Sequence, residues 1–187
     1  MRINFLLFED FTALDVFGPL EVLSSPQGWQ TRLMSAEGGI VGNHQGLNVV
    51  TERIAAGDLD ACWLIPGGFG TRALVEDRPF LDLLGKIAAH AHYCLSVCTG
   101  SALLARCGAL NGRRATSNQR SFDWVRSQSD QVFWEYGPRY VVDGKFYSSA
   151  GVSAGIDMAL AFVAAQLGEK EAAHIAARME YAQKEPR

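Results

Sequence analysis

The segment Tyr93-Cys94-Leu95-Ser96-Val97-Cys98-Thr99-Gly100-Ser101-Ala102-Leu103-Leu104 leaves its backbone few options. An apolar run ends in a cysteine, and a helical pattern begins at once on Thr-Gly-Ser. The spacing predicts a strand, a sharp turn and a helix, with Cys98 at the apex. A side chain held there stands at the carboxyl edge of a sheet, beside the positive end of a helix, and both features favour a thiolate. This is the arrangement of a nucleophile elbow that carries cysteine in place of serine.

The rest of the chain repeats the alternation of strand and helix. Residues 2–8 form an apolar run suited to a buried parallel strand. A loop then enters a helix through Leu14-Asp15-Val16-Phe17-Gly18-Pro19-Leu20-Glu21-Val22-Leu23, with Pro19 expected in its first turn. Residues 29–34 read as a second strand, the Gly- and Asn-rich stretch 38–50 as a hairpin, and 61–65 as a buried strand ending at Pro66-Gly67-Gly68-Phe69-Gly70. Phe80, Leu83, Leu84 and Ile87 mark a helix over about 78–91. After the elbow come a short strand at 114–116 and a helix containing Phe122 and Trp124, for which Ser121 is the expected cap. Strands at 140–142 and 146–149 flank the turn Asp143-Gly144. A long helix opens at Gly151 and runs to about Leu167, and a last one covers about 169–181. The pattern predicts one α/β domain over residues 1–187, a three-layer sandwich with a mostly parallel central sheet. Ligands of such sheets bind beyond the carboxyl ends of the strands. Three turns should therefore converge there: the loop before Asp15, the 66–70 turn and the Cys98 elbow.

Composition narrows the function classes. The chain has 187 residues, enough for a substantial core, and 48% of them are apolar. With 17 basic against 20 acidic residues the net charge is -3 and no basic block occurs, so nucleic-acid binding has no electrostatic support. The N-terminal apolar run reaches Glu9 and Asp10 too soon for a signal peptide, and no run approaches the roughly 20 residues of a membrane span. Cys62, Cys94, Cys98 and Cys107 are too few for a disulfide framework and lack CxxC spacing, which fits a reduced, cytoplasmic setting. Nothing clusters beside them as metal ligands are clustered.

Cys98 needs a partner for its proton. His90 and His92 fall before the elbow strand, at the opposite edge of the sheet; His44 lies in the hairpin and His174 on the last helix. A cysteine–histidine pair is not expected. Asp15 and Glu21 flank the first helix near the right edge, and either could hand a proton to the sulfur. By spacing alone Asp15 reads more readily as a helix cap, and Glu21 as a solvated position. Gly67 and Gly68 allow backbone N–H groups to face the site, and Thr99 and Gly100 bring free helix-start N–H groups.

Taken together, four segments resemble the ThiJ/PfpI superfamily: Phe5–Phe8 with Leu14–Leu23, Ile65-Pro66-Gly67-Gly68, Ser96–Ser101, and Ala150–Asp157. Within it, LDxxGPxEVL and SVCTGS are similar to the isonitrile hydratase branch and to the ligand domain of some AraC-type regulators. The resemblance implies a flavodoxin-like, class I glutamine amidotransferase-like fold. It also implies Cys98 as nucleophile, Asp15 as its acid partner, Thr99 as a polar neighbour and Gly68 as a backbone donor, with Phe69, Asn118 and Val152 completing the substrate pocket. Where relatives often carry a histidine, Asn118 stands here and cannot titrate. A homodimer acting on a small molecule is implied, without metal or organic cofactor. The activity implied is addition of water to an isocyanide. A glyoxalase-like or redox-sensing stress role for the same cysteine is the alternative, as is a regulator's ligand module, for which the chain is expected to be too short.

Overall fold

The computed structural model describes residues 1–182. Its elements, in chain order, are β1 (Arg2–Leu6), α1 (Ala13–Leu23), β2 (Gln30–Ser35), β3 (Gly39–Gly42), β4 (Asn48–Arg53), β5 (Cys62–Ile65), α2 (Thr71–Leu74), α3 (Arg78–His90), β6 (Tyr93–Val97) and α4 (Gly100–Arg106). They continue with β7 (Arg114–Ala115), α5 (Phe122–Arg126), β8 (Phe133–Trp134), β9 (Tyr140–Asp143), β10 (Phe146–Ser149), α6 (Ala154–Leu167) and α7 (Glu169–Arg178). Eight strands form one sheet in the order β3-β4-β2-β1-β5-β6-β10-β9, while β7 and β8 pair separately. From β4 to β10 every pairing in the large sheet is parallel; only the outermost strands, β3 and β9, run against their neighbours.

The sequence accounts for this layering. Strands β5 and β6 are buried along nearly their whole length, and only Tyr93 is partly open, as parallel strands covered on both faces must be. Ile3, Phe5, Trp63, Leu64 and Leu95 are fully buried in the core. Helices α1, α6 and α7 pack together as one layer, and α2, α3, α4 and α5 form the other. Helix α3 shows the amphipathic register expected: Phe80, Leu84 and Ile87 are inside, and Asp77 accepts the Phe80 N–H at 3.1 Å as its cap.

The chain leaves β1 for β2 on one side and returns to β5 on the other. The connections therefore diverge between β1 and β5, which opens a crevice at the carboxyl ends of the strands.

Two local expectations are corrected. Pro19 is not in the first turn of α1 but well inside it. It cannot donate to the carbonyl one turn back, which belongs to Asp15; the position is tolerated because Pro19 is buried against α6, where Gly155 faces it. Ser121 precedes α5, but its hydroxyl makes no capping bond. The segment turns there through a 3-10 turn, 119–121, in which Asn118 accepts the Ser121 N–H at 3.1 Å. The short α2 and β8 were not legible in the sequence, being too brief to show a period.

Candidate active site

Cys98 occupies the turn between β6 and α4 with φ 57°, a left-handed conformation that costs a non-glycine residue on the order of 1–3 kcal/mol. Its own backbone holds it there. The N–H donates to the Ser149 carbonyl at 3.1 Å and, more weakly, to Ala150 at 3.3 Å. The carbonyl accepts the Ser117 hydroxyl at 2.7 Å and the Ser101 hydroxyl at 3.1 Å. Strands β6 and β10, helix α4 and the 116–118 segment thus fix one residue from four directions. The two serines were not singled out from the sequence, because a hydroxyl bonding a backbone carbonyl leaves no pattern.

The structure brings Asp15 to this cysteine and leaves Glu21 exposed on the outer face of α1. Asp15 is fully buried. Its Oδ2 accepts the Gly67 N–H at 3.0 Å, whereas Oδ1 is buried without a conventional partner. The Cys98 thiol is its interacting side-chain neighbour, outside strict hydrogen-bond alignment. The glycine turn clamps this pair. A Cβ on Gly67 would lie 2.6 Å from the Thr99 nitrogen and 2.9 Å from Asp15 Oδ2. The Gly68 N–H donates to Thr99 Oγ1 at 3.1 Å rather than into open space. Both glycine donors thus position side chains of the site. Thr71 reinforces the turn, with its hydroxyl 2.7 Å from the Gly68 carbonyl and 3.1 Å from Thr99 Oγ1.

Around the sulfur stand the Thr99 N–H, the Thr99 hydroxyl and the Asn118 amide, each favouring its negative form. Asn118 uses Oδ1 for the Ser121 N–H, so Nδ2 is the group left to face sulfur. Gly151 makes room for it, since a Cβ there would lie 2.2 Å from Asn118 Nδ2. These donors do not outweigh burial. Desolvation, with the neighbouring Asp15 charge, pushes the Cys98 thiol up to about 12. Burial also pushes the Asp15 carboxyl up to about 7, against the Gly67 N–H and the thiol that lower it. The expectation of a resting thiolate made by the helix tip is thereby corrected: α4 has only seven residues, and removal from water dominates. The two groups titrate as a pair. Burial holds both groups toward their protonated forms, and each is the other's neighbour for proton transfer.

In front of the sulfur is a cavity of about 120 Å³ lined by Thr12, Gly68, Phe69, Arg72, Cys98, Thr99, Asn118 and Ser121. It is smaller than the roughly 150 Å³ that suffices for benzene, so it admits a small reacting group. Phe69 forms its rim, 69% exposed. Val152 does not belong to it: the structure places that residue in a neighbouring cleft with Arg120 and Arg139, and Asn118 touches both. Arg72 was missed in the sequence, where a single cation after a glycine turn carries no signal. Its guanidinium stacks 3.4 Å from the centre of the Trp124 ring and donates to Ser121 Oγ at 3.2 Å. None of the four histidines is among the residues lining the cavity. His90 and His92 are exposed near the other end of β6, His92 paired with Asp60 at 2.7 Å. His174 is exposed on α7, and His44 packs edge-on against Phe69 at 5.3 Å. Among the described residues no three His, Cys, Asp or Glu side chains are grouped to hold a metal ion, and no helix is long and apolar enough to cross a membrane.

A parallel α/β sheet with a strained cysteine on an elbow, beside a buried carboxyl, defines the class of protein. Comparison with known proteins narrows it. Residues 1–165 match the DJ-1/PfpI family, and the chain belongs to that family. It is 34% identical over 188 aligned residues to an isonitrile hydratase from Pseudomonas putida, covering all of this chain and 81% of the relative. It is 27% identical over 180 residues to the HTH-type transcriptional regulator CdhR from Pseudomonas aeruginosa, covering 91% of this chain but 52% of the regulator. Among solved structures, a ThiJ/PfpI family protein from Pseudomonas syringae superposes with a TM-score of 0.89 at 28% identity, over the whole of this chain and 77% of the other. Drosophila melanogaster DJ-1beta superposes with a TM-score of 0.81 at 19% identity, over 97% and 98% of the two chains, and shares the fold.

Proposed function

We propose that the protein is a cysteine-dependent hydratase that converts an isocyanide to an N-substituted formamide. The observation that carries the reading is the fully buried Asp15 carboxyl, fixed by the Gly67 N–H beside the Cys98 thiol, in front of a cavity sized for a small electrophile. The 34% identity to isonitrile hydratase supports it.

The reaction uses the thiol proton. As the Cys98 sulfur attacks the terminal carbon of R–N≡C, its proton passes to Asp15 and from there to the same carbon. The product is a thioimidate, R–N=CH–S–Cys98. Water adds to this carbon, the C–S bond breaks, and the sulfur takes back a proton, releasing R–NH–CHO. One water is consumed and both side chains return to their starting state. Thr99 and Asn118 stabilise the sulfur as it becomes anionic, which is the stage at which fixed donors accelerate a reaction. Asn118 cannot take part in proton transfer, so the shuttle falls to Asp15. We also propose a homodimer as the working form: the exposed apolar residues Leu14, Phe17, Ile40 and Val50 are the sort a partner covers.

Incubation with methyl isocyanide, followed by mass detection of N-methylformamide, tests the reading. Turnover should rise as the pH passes about 7, where Asp15 gives up its proton. Cys98→Ala should lower it by about a thousandfold or more. Formation of formamide at equal rates by the parent and the variant, or by neither, would remove the hydratase. A protein that forms none but adds oxygen at Cys98 under peroxide would be a redox sensor.

A further inference from the structure

Arg72 is the one cation lining the reaction cavity, and no acidic side chain among the described residues answers it. Among the described residues Arg2, Arg78, Arg120, Arg126 and Arg178 also lack a carboxylate partner, but none of them lines this cavity. Arg32, Arg53, Arg106, Arg113, Arg114 and Arg139 each meet a carboxylate. Arg72 instead lies flat on Trp124, with one nitrogen tied to the Ser121 hydroxyl. An arginine held only for solubility has no reason to lose its side-chain freedom to an aromatic platform. A planar guanidinium fixed on one face and at one edge retains its remaining donors for a ligand, and two parallel donors match a carboxylate. Ser121 strengthens the site: its oxygen accepts from Arg72, so its own proton is available to the same ligand. The cavity joins this corner to Cys98 across a small volume.

We propose that the substrate is a small carboxylate-bearing electrophile, its carboxylate held by Arg72 and Ser121 while its reactive carbon faces Cys98. The nature of the electrophile rests on the hydratase reading; the selection of an anion does not. Arg72 is therefore a specificity residue that touches the part of the substrate that does not react. Trp124 is a positioning residue acting through Arg72.

Alkylation of Cys98 separates the two readings, because iodoacetate and iodoacetamide share a reacting carbon and leaving group and differ in charge. Rates at Cys98 are followed by intact mass on the full chain, with Cys98→Ala as the blank. Arg72→Gln should lower the iodoacetate-to-iodoacetamide rate ratio about tenfold, since a unit-charge interaction at a few ångströms near a protein surface exceeds what tenfold requires. Arg72→Lys should keep part of the preference, and added salt should erode it in the parent. An unchanged ratio in Arg72→Gln would overturn the proposal. That includes the case in which both rates fall together, which would make Arg72 a group acting on the ionisation of sulfur. In a second arm, isocyanoacetate should be hydrated with higher kcat/KM than its methyl ester, and Arg72→Gln should reverse that preference. If neither compound yields a formamide while the alkylation ratio still depends on Arg72, the hydratase reading fails and the anion site stands.

Discussion

Two aspartates in this protein are fully buried, and they are treated in opposite ways. Asp15 and Asp157 both lie in the first turn of a helix, α1 and α6, and these two helices pack against each other. Asp157 is answered in full. Arg139 reaches it through Nε at 2.6 Å and through Nη2, and the Tyr181 hydroxyl donates to it at 3.1 Å. Asp15 receives one backbone N–H and the company of a thiol. Burial alone is therefore compatible with either outcome; what decides is whether a cation is supplied. At Asp157 the Arg139 and Tyr181 contacts hold the side chain and brace the end of the sheet. At Asp15 the missing cation leaves a carboxyl that holds and releases a proton near neutrality, which is what an acid–base partner needs.

The contrast is broken most sharply at Asp15. Asp15→Asn keeps the acceptor for Gly67 but cannot carry the mobile proton, and formamide production should fall about 10²–10⁴-fold. The same variant should be more stable than the parent in mildly alkaline buffer. The folded-state pKa of Asp15 is raised from 3.8 to about 7, so between those values the folded form holds a proton that the unfolded form has lost. Stability therefore declines as pH rises through this window, by on the order of 4 kcal/mol, and levels off above it. Thermal melts at pH 8 should place Asp15→Asn above the parent, with the gap closing toward pH 4. A variant less stable than the parent at pH 8 would contradict an uncompensated Asp15.

Asp157→Asn should do the reverse. It leaves Arg139 largely buried without its counter-charge, and denaturant titration should show a loss of about 3–5 kcal/mol, with the Cys98 alkylation rate of the folded protein within a few-fold of the parent. A loss below 1 kcal/mol would mean that the pair is not what anchors β9 to α6. The smallest effect belongs to Tyr181→Phe, which removes one donor from Asp157 and retains the ring. Its cost should be about 1–3 kcal/mol because the acceptor is charged.

Much of this arrangement was legible in the residues. The elbow announced itself because a buried strand and a helix meet without a linker at Cys98. The glycine turn was visible because only glycine permits a neighbouring backbone to come so near as Thr99 comes to Gly67. Asp15 was harder, since position alone made it a helix cap and only the resemblance to a family made it an acid partner. The ionisation of Cys98 was misjudged for a physical reason: sequence shows the helix start but not how completely the sulfur is removed from water. Val152 entered the pocket only through the resemblance to a family, and it lines the neighbouring cleft that shares Asn118 with the cavity. Arg72 and Trp124 were out of reach, because their stacking joins α2 to α5 across some fifty residues and follows no period.

The order of strands has a further consequence. Both flanks of the sheet end in antiparallel strands of only four residues, Gly39–Gly42 and Tyr140–Asp143. Short borders offer little template for recruiting a foreign strand, and the apolar interior ribbons that would aggregate if uncovered are shielded behind them. Deleting the 39–53 hairpin should therefore cost more than a loop: it would bare β2 along one side and turn a self-limiting sheet into one that can grow.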